Sequence, residues 1–283
     1  MKYNATMLKR DAKTFFYGCL MGVSDAVPGV SGATIALILG IYEKLILSLS
    51  FCFNNVFKPM SLLKGKEFWF IAKLYFGVFI ALFAFLNIMN TLIKTQETKV
   101  FSFFIGLIAA SIIVLSKKNW SAIGKNIAFG VIGFALGFLI LSLSSGEANH
   151  SLPVIFGSGF VAISAMILPG ISGSYVLVML NQYEYMAGAV SALNLGIMGV
   201  FIAGALAGLF VMTKVLRWLI KRYHGQTITF LIGLMAGGLR TPFAKIGRDY
   251  VSLAVFGVLG AACVMLLFFL SRGKKESKQT EIF

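Results

Sequence analysis

Val27 to Leu45 reads VPGVSGATIALILGIYEKL, and Leu168 to Met186 reads LPGISGSYVLVMLNQYEYM. Aligned without a gap, seven of the nineteen positions are identical: Pro28 with Pro169, Gly29 with Gly170, Ser31 with Ser172, Gly32 with Gly173, Leu39 with Leu180, Tyr42 with Tyr183, and Glu43 with Glu184. An internal repeat constrains the fold before any local pattern does. In each copy an apolar run meets P-G-[VI]-S-G and a second apolar run follows. A helix stops at the Pro-Gly and restarts with the serine near its N-cap. Each copy is therefore expected to be a broken helix or helical hairpin.

Hydrophobic residues make up 58% of the chain, charged residues 12%, and the mean hydropathy is +0.88. Soluble domains of this length do not show such values, and a polytopic membrane protein is expected. Lys2, Lys9, Arg10 and Lys13 precede a hydrophobic run interrupted by Asp25 and Pro28, without a small-residue cleavage site, so the N-terminus is expected to be retained. The net charge of +15 comes from basic residues in short loops and tails between apolar runs, the pattern of cytoplasmic loops facing anionic lipid. That distribution argues against a nucleic-acid partner. Cys19, Cys52 and Cys263 have no paired spacing, and His150 and His224 have no nearby ligand partners, so neither a metal nor a cofactor is expected.

The apolar pieces 14–26 and 32–51 hold roughly 13 and 20 residues, and the first is too short to cross a ~30 Å hydrocarbon core. A re-entrant hairpin over 14–51 fits better, followed by spans at 68–93, 100–116 and 126–144. A second hairpin over 153–191 precedes spans at 194–216, 226–243 and 250–271. Ser145 to Ser151 contains no Lys or Arg and is expected outside; Lys214, Arg217, Lys221 and Arg222, with Arg272, Lys274, Lys275 and Lys278, place the following loop and the C-terminus in the cytoplasm. GVFIA at Gly77 to Ala81 recurs at Gly199 to Ala203, and FFIGLIA at Phe103 to Ala109 resembles FLIGLMA at Phe230 to Ala236.

If a hairpin crosses nothing, three crossings separate the copies and invert the second against the first. The expected fold is an all-α polytopic membrane protein, an inverted repeat of 1–145 and 146–283, each half a re-entrant hairpin plus three transmembrane helices. Secondary transporters are commonly built this way. Against the scheme, the loop from Arg240 to Tyr250 is basic yet placed outside.

A hairpin tip at membrane depth must be buried in protein or line a wet cavity. Gly29, Gly32, Gly170 and Gly173 would let backbone approach a ligand, Ser31 and Ser172 supply hydroxyls, and the helices starting there present N–H groups suited to an anion such as phosphate. Pro28 and Pro169 make the break. Asp25, whose counterpart is Met166, could bind a coupling proton or cation, orient a basic ligand, or be a hydrogen-bonded structural acid. Arg240 ends an apolar stretch of about 14 residues, and either faces the cavity to hold an anion or snorkels to the interface. Gly133 with Gly137 and Gly204 with Gly208 are helix-packing spacings. Glu43 and Glu184, about twelve residues beyond their serines, are expected ~18 Å up the same helix as interfacial anchors.

The stretches DAVPGVSGATIALILGIYEKL, SAMILPGISGSYVLVML and GLMAGGLR resemble, over nearly the whole chain, the PopT-like polyprenyl-phosphate transporter family, bacterial membrane proteins formerly catalogued as a domain of unknown function. The resemblance implies a flippase returning undecaprenyl phosphate, the lipid carrier of cell-wall precursors, from the outer to the inner leaflet of the cytoplasmic membrane. It places Asp25, Pro28, Gly29, Ser31, Gly32, Pro169, Gly170, Ser172, Gly173 and Arg240 on motif positions. Ala33 and Asn181 stand where the family commonly has glycine. Expected partners are the polyprenyl phosphate and bilayer lipids, with a homodimer left open. The alternatives are a membrane-embedded polyprenyl diphosphate phosphatase, which would need a nucleophile or acid–base group beside the anion site, and a small-anion transporter.

Overall fold

The computed structural model describes residues 2–27, 30–140, 149–247 and 249–272, and the regular elements among them are all α-helices. The N-terminal half contains α1 (Lys2–Asp25), α2 (Gly32–Ile38), α3 (Tyr42–Asn54), α4 (Pro59–Lys64), α5 (Lys66–Lys118), α6 (Trp120–Lys125) and α7 (Ile127–Ile140). The C-terminal half contains α8 (Leu152–Ile167), α9 (Gly173–Met179), α10 (Tyr183–Ser191), α11 (Leu195–Arg222), α12 (His224–Gly238), α13 (Arg240–Ile246) and α14 (Tyr250–Arg272). Four stretches among the described residues are long and apolar enough to cross a membrane: Lys66–Phe85, Thr91–Lys118, Leu195–Arg222 and His224–Ile246. Ile127–Ile140, Leu152–Ile167 and Tyr250–Leu266 are shorter apolar helices.

Glycine-lined seams set the helix pairing. A Cβ on Gly18 or Gly22 of α1 would run into the carbonyls of Leu74 and Val78 in α5, and one on Gly77 into the carbonyl of Phe15. The same close approach joins α8 to α11, where Gly204 and Gly208 meet the backbone of Phe156 and Phe160. Such seams replace the hydrophobic drive that lipid does not supply. The two remaining seams exchange partners between halves: Gly133 of α7 lies on Phe230 of α12, and Gly106 of α5 lies on Gly257 of α14. The packing role expected for Gly133 and Gly204 is thus observed.

Three details depart from the sequence-based expectation. The segment 94–99 is not a loop: helix continues from Lys66 to Lys118, interrupted only at Gln96 (φ −141°, ψ 38°). No Pro or Gly stops it, and the hydroxyls of Thr91 and Thr95 instead donate to carbonyls four residues back at 2.9 and 2.8 Å, a pattern that bends helices. The second arm of the first hairpin is not one helix, because α2 and α3 meet at 119°. Gly40, at φ +69°, ends α2 in a Schellman motif, with Gly40 N–H donating to Leu37 O at 3.1 Å and Ile41 N–H to Ala36 O at 2.9 Å. Glu43 therefore does not continue a straight rise from Ser31; its carboxylate meets His224 at 2.8 Å. Finally, the segment after Arg240 is helical, because Pro242 lies in the first turn of α13, where its missing N–H costs nothing.

The matched break recurs in the second copy. Asn181 takes φ +52°, Asn181 N–H donates to Val178 O at 3.0 Å, and Gln182 N–H donates to Leu177 O at 2.9 Å. Asn is among the few non-glycine residues that adopt this conformation readily, so the same cap forms. The main core lies around α2 and α3, where Ala36, Tyr42 and Ile46 pack with Leu74 of α5, Leu231 and Met235 of α12.

Candidate functional site

The first arm of the second hairpin ends at Ile167, before Pro169, and Leu168 is extended (φ −78°, ψ 128°) as a residue preceding proline must be. The chain then turns through Gly170 at φ +90° and restarts as α9 at Gly173. The first hairpin breaks at the matching place: α1 ends at Asp25 and α2 begins at Gly32, with Ser31 as N-cap. Pro28 and Gly29 lie outside the described residues.

The two tips meet. Ser31 Oγ donates to Met166 O at 3.4 Å, Tyr42 Oη donates to Ile167 O at 3.1 Å, and Gly170 N–H donates to Thr34 Oγ1 at 2.9 Å. The carbonyls of Met166 and Ile167 belong to the last turn of α8 and have no helical partner of their own. Side chains from the other tip satisfy them where lipid could not. Ser31, Thr34 and Tyr42 are all buried. Sequence reasoning missed Thr34 and Tyr42 as site residues. Their partners lie 136 and 125 residues away, and only the shared Tyr of the repeat hinted at one of them.

Ser31 also accepts the N–H of Ala33 at 3.2 Å, so the cap forms despite alanine in that position. Gly32 N–H donates to Asp25 Oδ1 at 2.6 Å, and a Cβ on Gly32 would stand 2.6 Å from Oδ2 of the same carboxylate. Asp25 thus has a hydrogen-bond partner, and its own carboxyl group sits at the opening of α2. Met166 in the matching position brings no such carboxyl group to α9. There Ser172 Oγ lies 2.9 Å from Ser174 Oγ, and Gly173 packs against Ala162 O, which a Cβ would approach to 2.8 Å.

Gly170 faces protein backbone. A Cβ on it would lie 2.6 Å from Met235 Cα, and Gly238, about one turn further along α12, abuts the Gly170 carbonyl. This explains paired glycines in GLMAGGLR: Gly237 lies against α7 at Phe134, and Gly238 against the tip. Arg240 follows two residues later at the start of α13. Its guanidinium is exposed and stacks 4.4 Å from the centroid of Phe138, not on either tip. Beside it, the buried hydroxyl of Thr241 has no protein partner, and neither does that of Ser164 in the last turns of α8.

The tips are not equivalent. The described residues Gly32 to Leu37 of α2 are all buried, whereas Val178 and Leu180 at the end of α9 are exposed. Tyr42 is 1% exposed and its repeat partner Tyr183 50%.

Long apolar helices seamed by glycine, with two broken elements joined tip to tip, define the class: an all-helical, multi-pass membrane protein. The chain belongs to the VCA0040-like, undecaprenyl phosphate translocase-like family, whose model matches residues 21–257. It is 36% identical over 236 residues to a polyprenyl-phosphate transporter of Vibrio cholerae, covering 80% of this chain and 75% of that one. It is 31% identical over 261 residues to a polyprenyl-phosphate transporter of Staphylococcus aureus, covering 84% and 90%. No solved structure matches the chain. The resemblance seen in the sequence motifs is borne out, and both relatives are named as transporters rather than hydrolases.

Proposed function

We propose that the chain is a flippase for undecaprenyl phosphate, carrying it from the outer to the inner leaflet of the bacterial cytoplasmic membrane and so recycling the carrier of envelope precursors. In this proposal both termini are cytoplasmic, and the halves 1–145 and 146–283 are inverted with respect to each other. The observation that carries the reading is the tip-to-tip junction, in which two broken helices from matching sequence copies join through Ser31, Thr34, Tyr42 and Gly170. The exchanged seams support the inversion, since α7 on α12 and α14 on α5 are the pair of contacts that one twofold operation would produce. The names of the two relatives support the substrate class.

A lipid phosphate must take its head through the membrane while its tail stays in lipid. The groups proposed to receive it are the backbone N–H groups and hydroxyls at Ser31, Gly32, Ser172 and Gly173, with Gly29 and Arg240; Gly170, whose N–H is held by Thr34 and whose backbone packs on α12, shapes the tip beside them. Pro169 marks the break after α8, and Pro28 is its counterpart in the sequence repeat. The unpartnered hydroxyls of Ser164 and Thr241 are further donors. Asp25 holds the α2 opening as an internal anion that an incoming phosphate must displace or meet in protonated form. The unequal burial of Tyr42 and Tyr183 fits one access state; exchanging their environments gives the other.

The test is purified protein in liposomes with labelled short-chain polyprenyl phosphate, scored separately for leaflet exchange and for free phosphate. Exchange without phosphate release is expected, and release would establish hydrolysis instead. Arg240→Lys should weaken binding of the same lipid by about 1–3 kcal/mol, roughly 5- to 150-fold, because Lys lacks the guanidinium fork. Equal affinity for wild type and Arg240→Lys would return Arg240 to an interfacial role.

A further inference from the structure

Away from the tips, the last turns of α11 bring Lys214, Arg217, Lys221 and Arg222 around a cleft of about 530 Å³ whose other wall is α3. Lys214, Arg217 and Lys221 follow helical spacing along one face, and Trp218 stands among them. From α3, Ser50 is 1% exposed and its Oγ accepts a hydrogen bond from Arg217 Nη1 at 2.8 Å. One of the five guanidinium N–H donors is thereby tied to the wall of the cleft, which orients the rest of the fork. No carboxylate among the described residues lines the cleft. Among the described residues, the carboxylates paired with basic side chains are elsewhere: Asp11 with Lys73 and Glu97 with Lys245 in ion pairs, and Glu43 hydrogen-bonded to His224.

Four cations within nine residues repel one another, and an anion between them relieves that repulsion. The surroundings say which kind of anion. The cations sit at one end of a 28-residue apolar helix long enough to span a bilayer. Trp218, 58% exposed, is the residue type that marks the headgroup level. A molecule seated here would have its charge among the basic side chains and its apolar part along the lipid-facing side of α11. We propose that this cleft is a second anion site, separate from the hairpin tips, that binds the phosphate of a membrane lipid at the interface. A transported polyprenyl phosphate and an anionic bilayer phospholipid both carry that chemistry.

Trp218 supplies the reporter, because Trp69 and Trp120 are the other two tryptophans and can be replaced by Phe. The full chain carrying Trp69→Phe and Trp120→Phe, in detergent, is titrated with short-chain phosphatidylglycerol, short-chain polyprenyl phosphate, phosphatidylcholine or inorganic phosphate. A saturable change in Trp218 emission is expected with at least one anionic lipid and not with phosphatidylcholine. Arg217→Gln with Lys221→Gln should weaken it by about tenfold or more, with the thermal unfolding midpoint unchanged. A response from polyprenyl phosphate alone makes the cleft a station on the transport route, and one from phosphatidylglycerol makes it a site for bilayer lipid. Arg240→Lys should leave the Trp218 signal intact, which separates this site from the transport reading. An equal response to phosphatidylcholine, saturation by inorganic phosphate without either lipid, or undiminished affinity in the double variant would overturn the proposal.

Discussion

At the scale of single residues, the most informative contact is Asp25 on the amide of Gly32. A carboxylate there does for the N-terminus of α2 what a bound phosphate would do, and the two cannot share the position without repulsion. Asp25→Asn keeps the size and an acceptor oxygen while removing the charge. Affinity for short-chain polyprenyl phosphate should therefore rise several-fold, on the order of 1 kcal/mol. The check is a binding titration on wild type and Asp25→Asn at one pH and salt concentration; a fall in affinity would instead make Asp25 an orienting or purely structural acid. The importance of Asp25 could be read from its place before Pro28 and from the mismatch with Met166. Its partner could not, because a contact between residue 25 and residue 32 across the break leaves no periodic signal. Gly170 carries the opposite lesson. Its motif suggested a ligand-facing backbone, yet the atoms beside it are those of Met235 and Leu234, a contact that no local pattern announces.

Among the elements, the paired breaks at Gly40 and Asn181 matter most. They convert each second arm into two short helices separated by a left-handed residue. A Cβ on Gly40 would meet nothing within 4 Å, which makes the site a clean probe of backbone conformation. Gly40→Ala should lower stability by about 1–2 kcal/mol through the left-handed φ alone. Thermal unfolding in detergent measures this, and an unchanged midpoint would mean that the turn relaxes to another conformation. The Pro-Gly breaks, the glycine seams and the duplication were legible because each leaves a spaced sequence pattern. The 119° bend was not, since one Gly in LILGIYEKL reads as a tolerated residue of an apolar run and its counterpart is not glycine. The kink at Gln96 was hidden for the reverse reason: a polar run suggested a loop, but nothing in it breaks a helix.

For the whole molecule, the exchanged seams govern how the protein can be made. The second part of α5 meets its glycine-to-glycine partner in α14, so residues near 106 must wait for residues near 257 to leave the ribosome. Chains inserted into a membrane one helix at a time thus carry an exposed seam through most of synthesis. Folding should complete late and all at once, as expected when key contacts are distant in sequence. The same interlock means that 1–145 and 146–283 expressed as separate chains should each be unstable, yet co-purify and regain lipid-phosphate binding when produced together. Stable accumulation of either piece alone would show that its seam closes without the other. A C-terminal truncation before α14 is consequently more damaging than its distance from the tips suggests: it strands a helix made half a chain earlier, and quality-control proteases acting on that orphaned face would remove the protein before its transport could be measured.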